Sequence, residues 1–354
     1  MDSRLHTKQY KVLASTPEKR LCYSKGKIWL EDADHIRTRV NIHLPFLSGF
    51  RLAERLLRLI PRLGFTICDE FYFTAHGWLF HVDGTDMKAY GIYQFRPGMK
   101  DPLTVCKQKS ERQEAVYWGE YWQNPAREQV KIVKFDGNQV TTVCTLSGIK
   151  HIHTVVWDQF RNCFWIATGD SDAESGIYRA SRTFDSLETV FSGQQIYRTC
   201  ALFPVEKGIV YATDSPLCSN YLFFSEIKQG QLSEPVAVAS MPGPCIFSQE
   251  FRGSYYFSTS VEPNPDQPFI KYYLSRRISP GNSDKQSHVI CMTGDLKTRE
   301  IFSAEKDIHS MVFFQLGNIQ LSYDAMDDAL AAYCISLKKY DGQTVYLTAQ
   351  EKEC

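Results

Sequence analysis

The fold is decided by the stretch HIHTVVWDQFRNCFWIATGDSDAESGIYRASRTFDSLETVFSG, residues 151–193. It divides into four short segments rich in β-branched and aromatic residues, which are separated by turns rich in Asp, Asn, Ser and Gly. HIHTVVWD (151–158) alternates as a strand does, and FWIATGD (164–170), IYRAS (177–181) and LETVFSG (187–193) follow it. The stretch therefore predicts a small antiparallel sheet of four strands.

The same unit recurs along the chain. Successive strand-like segments end in acid-bearing turns, whose first acidic residues are Glu120, Asp170, Asp214 and Glu262. These residues are 50, 44 and 48 positions apart. A period of about 40–50 residues is typical of β-propellers, in which each blade is a four-stranded sheet. We therefore predict an all-β fold, a β-propeller of seven blades with six as the alternative, forming a single domain over residues 1–354.

The other blades are found by working outward from this stretch. Further units follow the same pattern at 19–34, around 76–84, and at 113–147, 197–240, 245–294 and 309–349. Within them, IKYYLSRR (270–277) is predicted as a third strand and HSMVFFQL (309–316) as a first strand. We expect YKVLAST (10–16) to add a strand to the last blade and close the ring, because an unpaired sheet edge is a liability.

One segment breaks the β pattern. SGFRLAERLLRLIPRLGF (48–65) has leucines at helical spacing and predicts the only helix, an amphipathic insertion over 48–64 that Pro61 ends or kinks. Three interpretations stay open: a helix packed on the propeller with a solvated basic face, an anion clamp over the ring mouth, or peripheral contact with a membrane surface. The arginines that form one stripe along it are Arg51, Arg55, Arg58 and Arg62.

Composition excludes several classes of partner. Lys and Arg number 40 and Asp and Glu number 40, so no overall field attracts nucleic acid or an anionic membrane. The 11 cysteines include no CxxC pair, which argues against a disulfide framework and a zinc knuckle. No apolar run of about 18 residues occurs, and MDSRLHTKQYKVLAST (1–16) has no signal-peptide core. We expect a soluble cytoplasmic protein that binds no nucleic acid and has no transmembrane segment; its oligomeric state stays open.

Propeller geometry brings two series of polar residues to one face of the ring. The first strand of each blade lines the central channel, and it starts on the face that also carries the turn between second and third strands. Binding and catalytic residues commonly lie on such loops, held by a rigid scaffold. We therefore expect one mouth to collect the strand-start residues His151, His153, Tyr197, Arg198 and His309 together with the turn residues Glu120, Tyr121, Asn124, Arg127, Asp170, Asp172, Glu174, Asp214, Asn220 and Glu262.

Candidate roles follow from side-chain chemistry. Acids, phenols and imidazoles transfer protons, so the candidate catalytic residues are Asp170, Tyr197, Glu120, His151 and His153. Guanidinium groups bind carboxylates bidentately, and the candidate anion ligands are Arg198, Arg127 and Arg62. The other candidates for substrate binding are Tyr121, Asn124, Asp172, Glu174, Asp214, Asn220, Glu262 and His309.

Two patterns resemble metal sites. His151 and His153 project from one side of a strand, and the acidic turn 170–174 offers several oxygens, as calcium prefers. Each has a simpler explanation, because channel histidines are commonly hydrogen-bonded and Asp and Ser side chains cap turns. We therefore expect no metal and no cofactor.

Arginine, tyrosine, acid and histidine around an aromatic mouth suit a saccharide ligand. Trp118, Tyr121, Trp122 and Tyr197 could stack on sugar rings. Paired acids could hydrolyse a glycosidic bond. Alternatively, His or Tyr could remove the proton alpha to a uronate carboxylate that arginine neutralises, which is lyase chemistry.

The chain also resembles a known family. The segments GEYWQNPAREQVKI (119–132), KHIHTVVWD (150–158), TGDSDAESGIYRA (168–180), QQIYRT (194–199), ATDSPLCSN (212–220) and STSVEP (258–263) are similar to sialidase-like β-propellers with loose Asp-box-type repeats. Members of this family are often associated with bacterial capsule and surface-polysaccharide gene sets. The resemblance implies three arginines, a Tyr–Glu pair and an Asp at the site. Matching residues are Arg62, Arg127, Arg198, Tyr121 or Tyr197, and Asp170.

These observations lead to a carbohydrate-active propeller acting on an acidic surface-polysaccharide precursor. An enzyme is favoured, with hydrolysis ahead of lyase elimination. The alternative from another class is a non-catalytic glycan-binding or scaffold propeller in polysaccharide assembly. Because a cytoplasmic enzyme would not meet finished polymer, the expected partner is an acidic oligosaccharide or a nucleotide-linked or lipid-linked sugar intermediate.

Overall fold

Seven small antiparallel sheets form a ring. The computed structural model describes residues 5–99, 101–109 and 114–347. Within these residues the strands group into seven separate sheets in sequence order around the channel. The predicted all-β propeller with seven blades is thus confirmed.

The first four blades follow one another directly after a short N-terminal strand, β1 (His6–Lys8). Blade 1 contains β2 (Lys11–Ser15), β3 (Lys19–Ser24), β4 (Lys27–Asp32) and β5 (Arg37–Val40). Blade 2 contains β6 (Gly64–Ile67), β7 (Glu70–Ala75), β8 (Trp78–Asp83) and β9 (Lys88–Gln94). Blade 3 contains β10 (Cys106–Lys109), β11 (Glu114–Gly119), β12 (Val130–Phe135) and β13 (Val140–Leu146). Blade 4 contains β14 (His151–Asp158), β15 (Cys163–Gly169), β16 (Gly176–Ser181) and β17 (Leu187–Ser192).

The last three blades carry the larger insertions. Blade 5 contains β18 (Thr199–Val205), β19 (Gly208–Thr213), β20 (Asn220–Lys228) and β22 (Val236–Met241), with β21 (Gln231–Leu232) beside β20. Blade 6 contains β23 (Cys245–Phe251), β24 (Ser254–Thr259), β25 (Gln286–Met292) and β26 (Thr298–Glu305). Blade 7 contains β27 (Asn318–Asp324), β28 (Ala329–Ile335) and β29 (Thr344–Leu347), completed by β1.

Burial follows from the position of each strand within its blade. The second strands β15, β19 and β28 are buried along their whole length, because neighbouring blades cover both faces of the sheet. These strands therefore read as continuous apolar runs rather than alternating ones. The outer strands β9 and β13 are mostly exposed or half-buried. The core consequently lies between blades, and it holds the first strands rigidly around the channel.

The ring is closed by the N-terminal strand. β1 pairs antiparallel with β29, with Thr7 opposite Val345, and supplies the outer strand of blade 7. Our expectation that 10–16 would close the ring is therefore wrong, because β2 (Lys11–Ser15) is the inner strand of blade 1. Because β1 covers the edge of β29, blade 7 has its full set of four strands.

Two strand predictions are also wrong. Most of 270–277 belongs to a short helix, α2 (Phe269–Leu274), inserted between β24 and β25. Residues 309–316 form turns, and β27 begins only at Asn318. Both segments are short apolar runs, and such runs alone do not separate a strand from a helix.

The predicted helical insertion is present but shorter than expected. A 3₁₀ turn (Phe46–Gly49) leads into α1 (Arg51–Leu57), which ends at Arg58 in the left-handed conformation (φ 55°). Arg51 pairs with Asp341 at 2.6 Å and Arg55 with Asp307 at 2.6 Å. The helix thus packs on the propeller through its arginines. The prediction that the basic face of the helix is solvated is therefore wrong for Arg51 and Arg55, although the helix does pack on the propeller.

The first strands of the blades surround a central cavity of about 420 Å³. Its upper end lies where these strands start. Both α1, which precedes β6, and the 306–317 connection, which precedes β27, approach this end. With seven and six residues, the two α-helices of the described chain fall far short of a membrane-spanning length.

Candidate functional site at the channel mouth

Blades 4, 5 and 6 place a cluster of titratable side chains at the channel mouth. His151 and His153 lie at the start of β14, and Asp170 follows β15 directly. Asp214 follows β19 in the same way. The register shifts between Ile152 and Thr154, so His153 is the extra residue of a bulge. A bulge redirects a side chain, and here it helps to bring the two imidazoles together.

Three donor atoms converge at this bulge. Nε2 of His151 lies 3.1 Å from Nε2 of His153. Oδ1 of Asp170 lies 3.4 Å from the first nitrogen and 3.5 Å from the second. Ligands bound at about 2.0–2.2 Å around one ion stand about 3–3.5 Å apart. The spacing of these three atoms therefore fits the ligands of a single divalent cation.

The hydrogen bonds of the two rings support the same conclusion. Nδ1 of His151 lies 3.0 Å from the carbonyl oxygen of Trp122, and Nδ1 of His153 lies 3.3 Å from that of Thr199. A carbonyl oxygen only accepts, so each Nδ1 can donate a proton to it. A ring protonated at Nδ1 alone would offer the lone pair of its Nε2 to a cation. Histidine ligands commonly have their second nitrogen fixed in this way. A single proton could join only two of the three atoms His151 Nε2, His153 Nε2 and Asp170 Oδ1. A divalent cation could bind all three.

A glycine allows this approach. A Cβ atom at Gly169 would lie 2.5 Å from Cε1 of His153 and 3.0 Å from Cγ of Arg198. Both contacts are closer than side chains tolerate. The last residue of β15 must therefore remain glycine if His153 and Arg198 are to keep their places.

Asp170 is the most heavily contacted acid at the mouth. Lys150 Nζ donates to its Oδ2 at 2.6 Å, and Arg198 Nη2 lies 3.3 Å from its Oδ1. Burial alone would raise the pKa of Asp170, but the two imidazoles and the Arg198 guanidinium outweigh it and hold that pKa well below its usual range. Burial lowers the pKa of His153 to about 4, against the opposing effect of Asp170. Asp170 is thus an ionised group beside a neutral imidazole.

A second, less satisfied pair lies deeper. Arg198 Nη2 stands 3.7 Å from Oδ2 of Asp214, which also accepts from the Cys200 thiol at 3.2 Å. Within the described chain, Arg198 Nε and Asp214 Oδ1 are buried without a hydrogen-bond partner. Burial raises the pKa of Asp214 although Arg198 opposes it, and Glu262 adds to the rise. Such incomplete pairing of buried charge is costly and is characteristic of functional sites.

Glu262 completes the acidic side of the mouth. Its Oε1 accepts from Ser260 Oγ at 2.8 Å, and its backbone N–H donates to Asn282 at 3.1 Å. Burial raises its pKa, while Arg198 and the Ser260 hydrogen bond oppose the rise. Tyr272 on α2 lies close enough for the charge of Glu262 to contribute to its raised pKa, after the larger effect of burial. The α2 insertion therefore reaches the mouth.

Arg62 and Tyr121 form the opposite side. The Arg62 guanidinium carbon lies 5.9 Å from the Tyr121 ring centre, and that ring lies 4.2 Å from the His151 ring. Lys11 holds this segment in place by donating to the backbone oxygens of Pro61 (2.8 Å) and Arg62 (2.6 Å). Burial raises the pKa of Tyr121 above its usual value, and Arg62 opposes it. A basic and a phenolic group thus face the donor cluster.

Three predicted residues are engaged with one another instead of with this cluster. Arg127 Nε donates to Glu174 at 2.5 Å, and Arg127 Nη1 donates to the backbone oxygen of Asn124 at 2.7 Å. The Asn124 side chain accepts from the backbone N–H of Glu128 at 2.9 Å. These contacts connect the loops of blades 3 and 4. The polar groups of Arg127, Glu174 and Asn124 therefore stabilise these loops.

Two predicted catalytic residues also have structural partners. Glu120 accepts from Arg96 at 3.0 Å and from the backbone N–H of Lys131 at 3.0 Å. Tyr197 is buried in the core between blades 4 and 5, where its ring stacks on Phe191 at 5.1 Å. The structure does not bring either side chain into contact with His151, His153 or Asp170 within the described chain.

The last predicted residues lie in turns and connections. The Asn220 side chain accepts from the backbone N–H of Ser215 and donates to the backbone oxygen of Gly281 at 3.0 Å. Asp172 lies exposed in a 3₁₀ turn (Asp172–Glu174). His309 packs against Phe314 in the 306–317 connection, 5.1 Å between ring centres. Asn220 thus shapes the turn that carries Asp214.

Sequence analysis missed several groups at the mouth. Lys150 immediately precedes His151 and so belongs to the strand-start series, which was the signal for finding it. Cys200 lies two positions after Arg198 and contacts Asp214. Tyr272 gave no signal, because its segment was predicted as a strand.

The residues that could hold a metal fall into two overlapping sets. One is His151, His153 and Asp170, and the other is His153, Cys200 and Asp214. Burial raises the pKa of the Cys200 thiol well above its usual value, and the thiol donates to Asp214. A thiol that keeps its proton is a poor ligand. The first set is therefore the better candidate metal centre, although the sequence alone led us to expect none.

Comparison with known proteins shows the fold. No protein-family model and no curated protein matches the sequence. An oligogalacturonate lyase from Vibrio parahaemolyticus aligns with a TM-score of 0.59 at 10% identity, covering 99% of this chain and 96% of that chain. An oligogalacturonate lyase in complex with manganese gives 0.57 at 10% identity (94% and 87% covered), and virginiamycin B lyase from Staphylococcus aureus gives 0.56 at 10% identity (98% and 99%). The chain shares their propeller architecture; membership of the sialidase-like family stays a prediction.

Proposed function

We propose that the channel mouth binds a carboxylate-bearing oligosaccharide and cleaves it by β-elimination. The observation that carries the proposal is the placement of Arg62, Arg198 and Tyr121 around the donor atoms of His151, His153 and Asp170. An elimination next to a uronate requires cations that neutralise the carboxylate and a group that transfers protons. The acidic surface-polysaccharide precursor inferred from the sequence is a substrate of this class.

Arg62 supplies the anion-binding group. Its guanidinium lies near the Tyr121 ring. It has no ion-pair partner among the described residues. Its segment is anchored by Lys11, so the guanidinium is held at the mouth without a carboxylate of the protein to neutralise it. A carboxylate of the ligand would complete this pairing, with the bidentate geometry that arginine offers.

Tyr121 is the proposed proton-transfer residue. Its hydroxyl has no hydrogen-bond partner within the described chain, and its ring rests on His151. Burial favours the protonated phenol. In the elimination, water at the mouth accepts the proton from the carbon alpha to the carboxylate. The electron pair of that C–H bond forms the new C=C bond while the bond to the leaving oxygen breaks. A protonated Tyr121 is suited to give that oxygen its proton.

His151, His153 and Asp170 are the residues that would hold a divalent metal. When bound, such an ion stabilises the negative charge that develops on the substrate carboxylate. One of the solved structures with this architecture is an oligogalacturonate lyase in complex with manganese. The fit rests on the donor spacing in this chain.

Elimination is preferred to hydrolysis because of how the acids are engaged. Asp170 is shared among Lys150, Arg198 and the two imidazoles. Asp214 is buried and already accepts from Cys200. A hydrolase needs two carboxyl groups free to flank the glycosidic bond. Neither acid meets that requirement.

Hydrolysis remains a second candidate on one observation. The pKa of Asp170 is held down, while burial raises the pKa of Asp214 and of Glu262. Neighbouring carboxyl groups whose pKa values differ in this way are typical of acid–base catalysis. Asp214 or Glu262 would then be the acid.

The experiment that tests the proposal is incubation of the full chain with oligogalacturonate, after metal analysis of the purified protein. Elimination predicts an unsaturated product that absorbs in the ultraviolet, about one bound divalent metal per chain as the three-ligand site provides, and loss of activity in Tyr121→Phe. New reducing ends without ultraviolet absorbance would favour hydrolysis. Tight binding without turnover across a panel of acidic glycans would favour the scaffold alternative.

A further inference from the structure

The insertion that connects blade 1 with blade 2 exposes its apolar side. Because α1 packs through Arg51 and Arg55, its leucines face outward. Phe46 in the preceding 3₁₀ turn is 84% exposed. A helix on a propeller normally buries its leucines and solvates its arginines. The other large apolar side chains exposed in this insertion are Leu47, Phe50, Leu52, Leu56 and Leu57.

Two further segments show the same exposure. On α2, Ile270 is 72% exposed and Leu274 is also exposed. In the 306–317 connection, Ile308 is 66% exposed and Phe313 is exposed as well. The α2 segment joins a second to a third strand, and both the connection and α1 lead into first strands. All three segments therefore lie on the face of the ring that carries the mouth.

Hydrogen bonds join the three segments into one surface, which we call the apolar rim (residues 46–57, 270–274 and 308–313). Arg55 Nε donates to the backbone oxygen of Phe314 at 2.9 Å, and Gln315 donates to that of Arg55 at 3.0 Å. Ser310 Oγ donates to the backbone oxygen of Tyr273 at 2.6 Å. The rim is thus continuous over blades 6, 7 and 1. An exposed apolar surface of this extent marks an interaction site.

Exposed cations flank the rim. Among the described residues, the Arg58 guanidinium makes one hydrogen bond, from Nη2 to the backbone oxygen of Val312 at 3.2 Å. Lys271, Arg276 and Arg277 are exposed, and none has an ion-pair partner among the described residues. Within 266–277 the sole carboxylate is Asp266. The surface around the rim is therefore locally positive on a chain of zero net charge.

We propose that the apolar rim docks on a membrane surface that contains anionic lipids, with the channel mouth facing the headgroups. Apolar side chains flanked by Lys and Arg are the composition of interfacial membrane-binding surfaces. A second copy of this chain fits less well, because a symmetric dimer would place these cations against themselves. The docked mouth would lie at the level of a lipid-linked sugar. The proposal does not depend on the chemistry at the mouth.

Flotation of the full chain with vesicles tests this docking. The probes are vesicles of phosphatidylcholine alone and of phosphatidylcholine mixed with phosphatidylglycerol. We expect binding to the mixed vesicles, weakened by salt. Lys271→Glu with Arg276→Glu should weaken it at least roughly 20-fold, since each cation near an anionic surface contributes about fivefold. Phe46→Ser with Leu52→Gln should also abolish most of the binding.

Matched controls lie away from the mouth. Val236→Ser removes an exposed apolar side chain from the outer strand of blade 5, and Lys207→Glu reverses a cation in the turn between β18 and β19. Both should float as the wild type does. Asp170→Asn should also float normally even if it is inactive, which separates docking from catalysis.

Three results would overturn the proposal. The wild type could fail to float with either vesicle, or the rim and charge variants could float as well as the wild type. Alternatively, sedimentation could show a dimer that the Phe46→Ser and Leu52→Gln substitutions dissociate while flotation stays unchanged. In that last case a second copy covers the rim.

Discussion

The ring closure and the channel mouth both contain buried charge, but they differ in how that charge is paired. At the closure, Arg20 is fully buried and pairs with Glu31, with Asp324 at 2.9 Å and with Asp327 at 2.7 Å. All three guanidinium nitrogens have partners. The carboxylates are completed by Lys8, Arg37 and Tyr346.

The mouth lacks this saturation. Arg198 Nε and Asp214 Oδ1 are buried without partners in the described chain, and the Nε2 atoms of His151 and His153 converge on Oδ1 of Asp170. The same residue types therefore serve two purposes. Complete pairing joins the N-terminal strand, blade 1 and blade 7 into a stable closure, whereas incomplete pairing leaves groups available to a ligand.

The largest expected effect is on stability at the closure. Arg20→Met would leave Glu31 and Asp324 buried without their shared cation, so we expect a loss of about 3–5 kcal/mol in the free energy of unfolding. Urea denaturation measures it. Arg198→Met is the matched variant at the mouth, and it should cost less because Asp170 keeps Lys150. Equal losses would show that the two clusters do not differ in the way proposed.

The next effect is on activity at the mouth. Asp170→Asn removes a charge from the three-donor cluster, and turnover should fall by about 10²-fold or more, as for lost acid–base or metal-binding groups. The protein should stay folded but unfold at a somewhat lower urea concentration, since the lowered pKa of Asp170 means that its charge also stabilises the fold. Asp185→Asn, an exposed acid in the same blade, is the control and should leave turnover unchanged. An Asp170→Asn protein that unfolds early but retains turnover would make Asp170 a structural residue.

A smaller effect concerns carboxylate recognition. Arg62→Lys keeps the charge but loses the planar fork, so affinity for an acidic oligosaccharide should weaken by about 1.5–3 kcal/mol. A neutral analogue of the same ligand should bind equally well to both proteins. Calorimetric titration of the two ligands measures the difference. If both lose affinity equally, Arg62 belongs to the wall of the mouth and does not read the carboxylate.

The sequence predicted the ring well because its signal is repeated. The acidic turns at Asp170, Asp214 and Glu262 recur at blade spacing, and all three acids lie close to Arg198. The positions of Tyr197 and Glu120 were not predictable from the sequence. A shift of one residue along a strand turns a side chain from the channel to the core between blades. The pairing of Arg51 and Arg55 depends on residues about 250–290 positions away, which local spacing cannot reveal.

The smallest effect is on the pH dependence of stability. Burial disfavours the charge of Glu31, but hydrogen bonds from Arg20 and Arg37 outweigh it and lower its pKa from 4.5 to about 2. A depressed carboxyl pKa contributes stability that is present above the unfolded value and is lost as pH falls through the folded value. Stability should therefore decline between pH 4.5 and about 2.

Urea denaturation across this pH range measures the contribution of Glu31. One proton changes stability by at most about 1.4 kcal/mol per pH unit, and the exposed Arg37 side of the pair is screened, so the Glu31 share should be a fraction of that slope. Glu31→Gln should flatten the slope, while Glu188→Gln, an exposed acid on blade 4, should leave it unchanged. The Glu31→Gln protein should also keep full activity at the mouth, because the closure and the site are separate clusters. A slope that Glu31→Gln does not alter would mean that the closure is held by Asp324 and Asp327, and that Glu31 only positions Arg20.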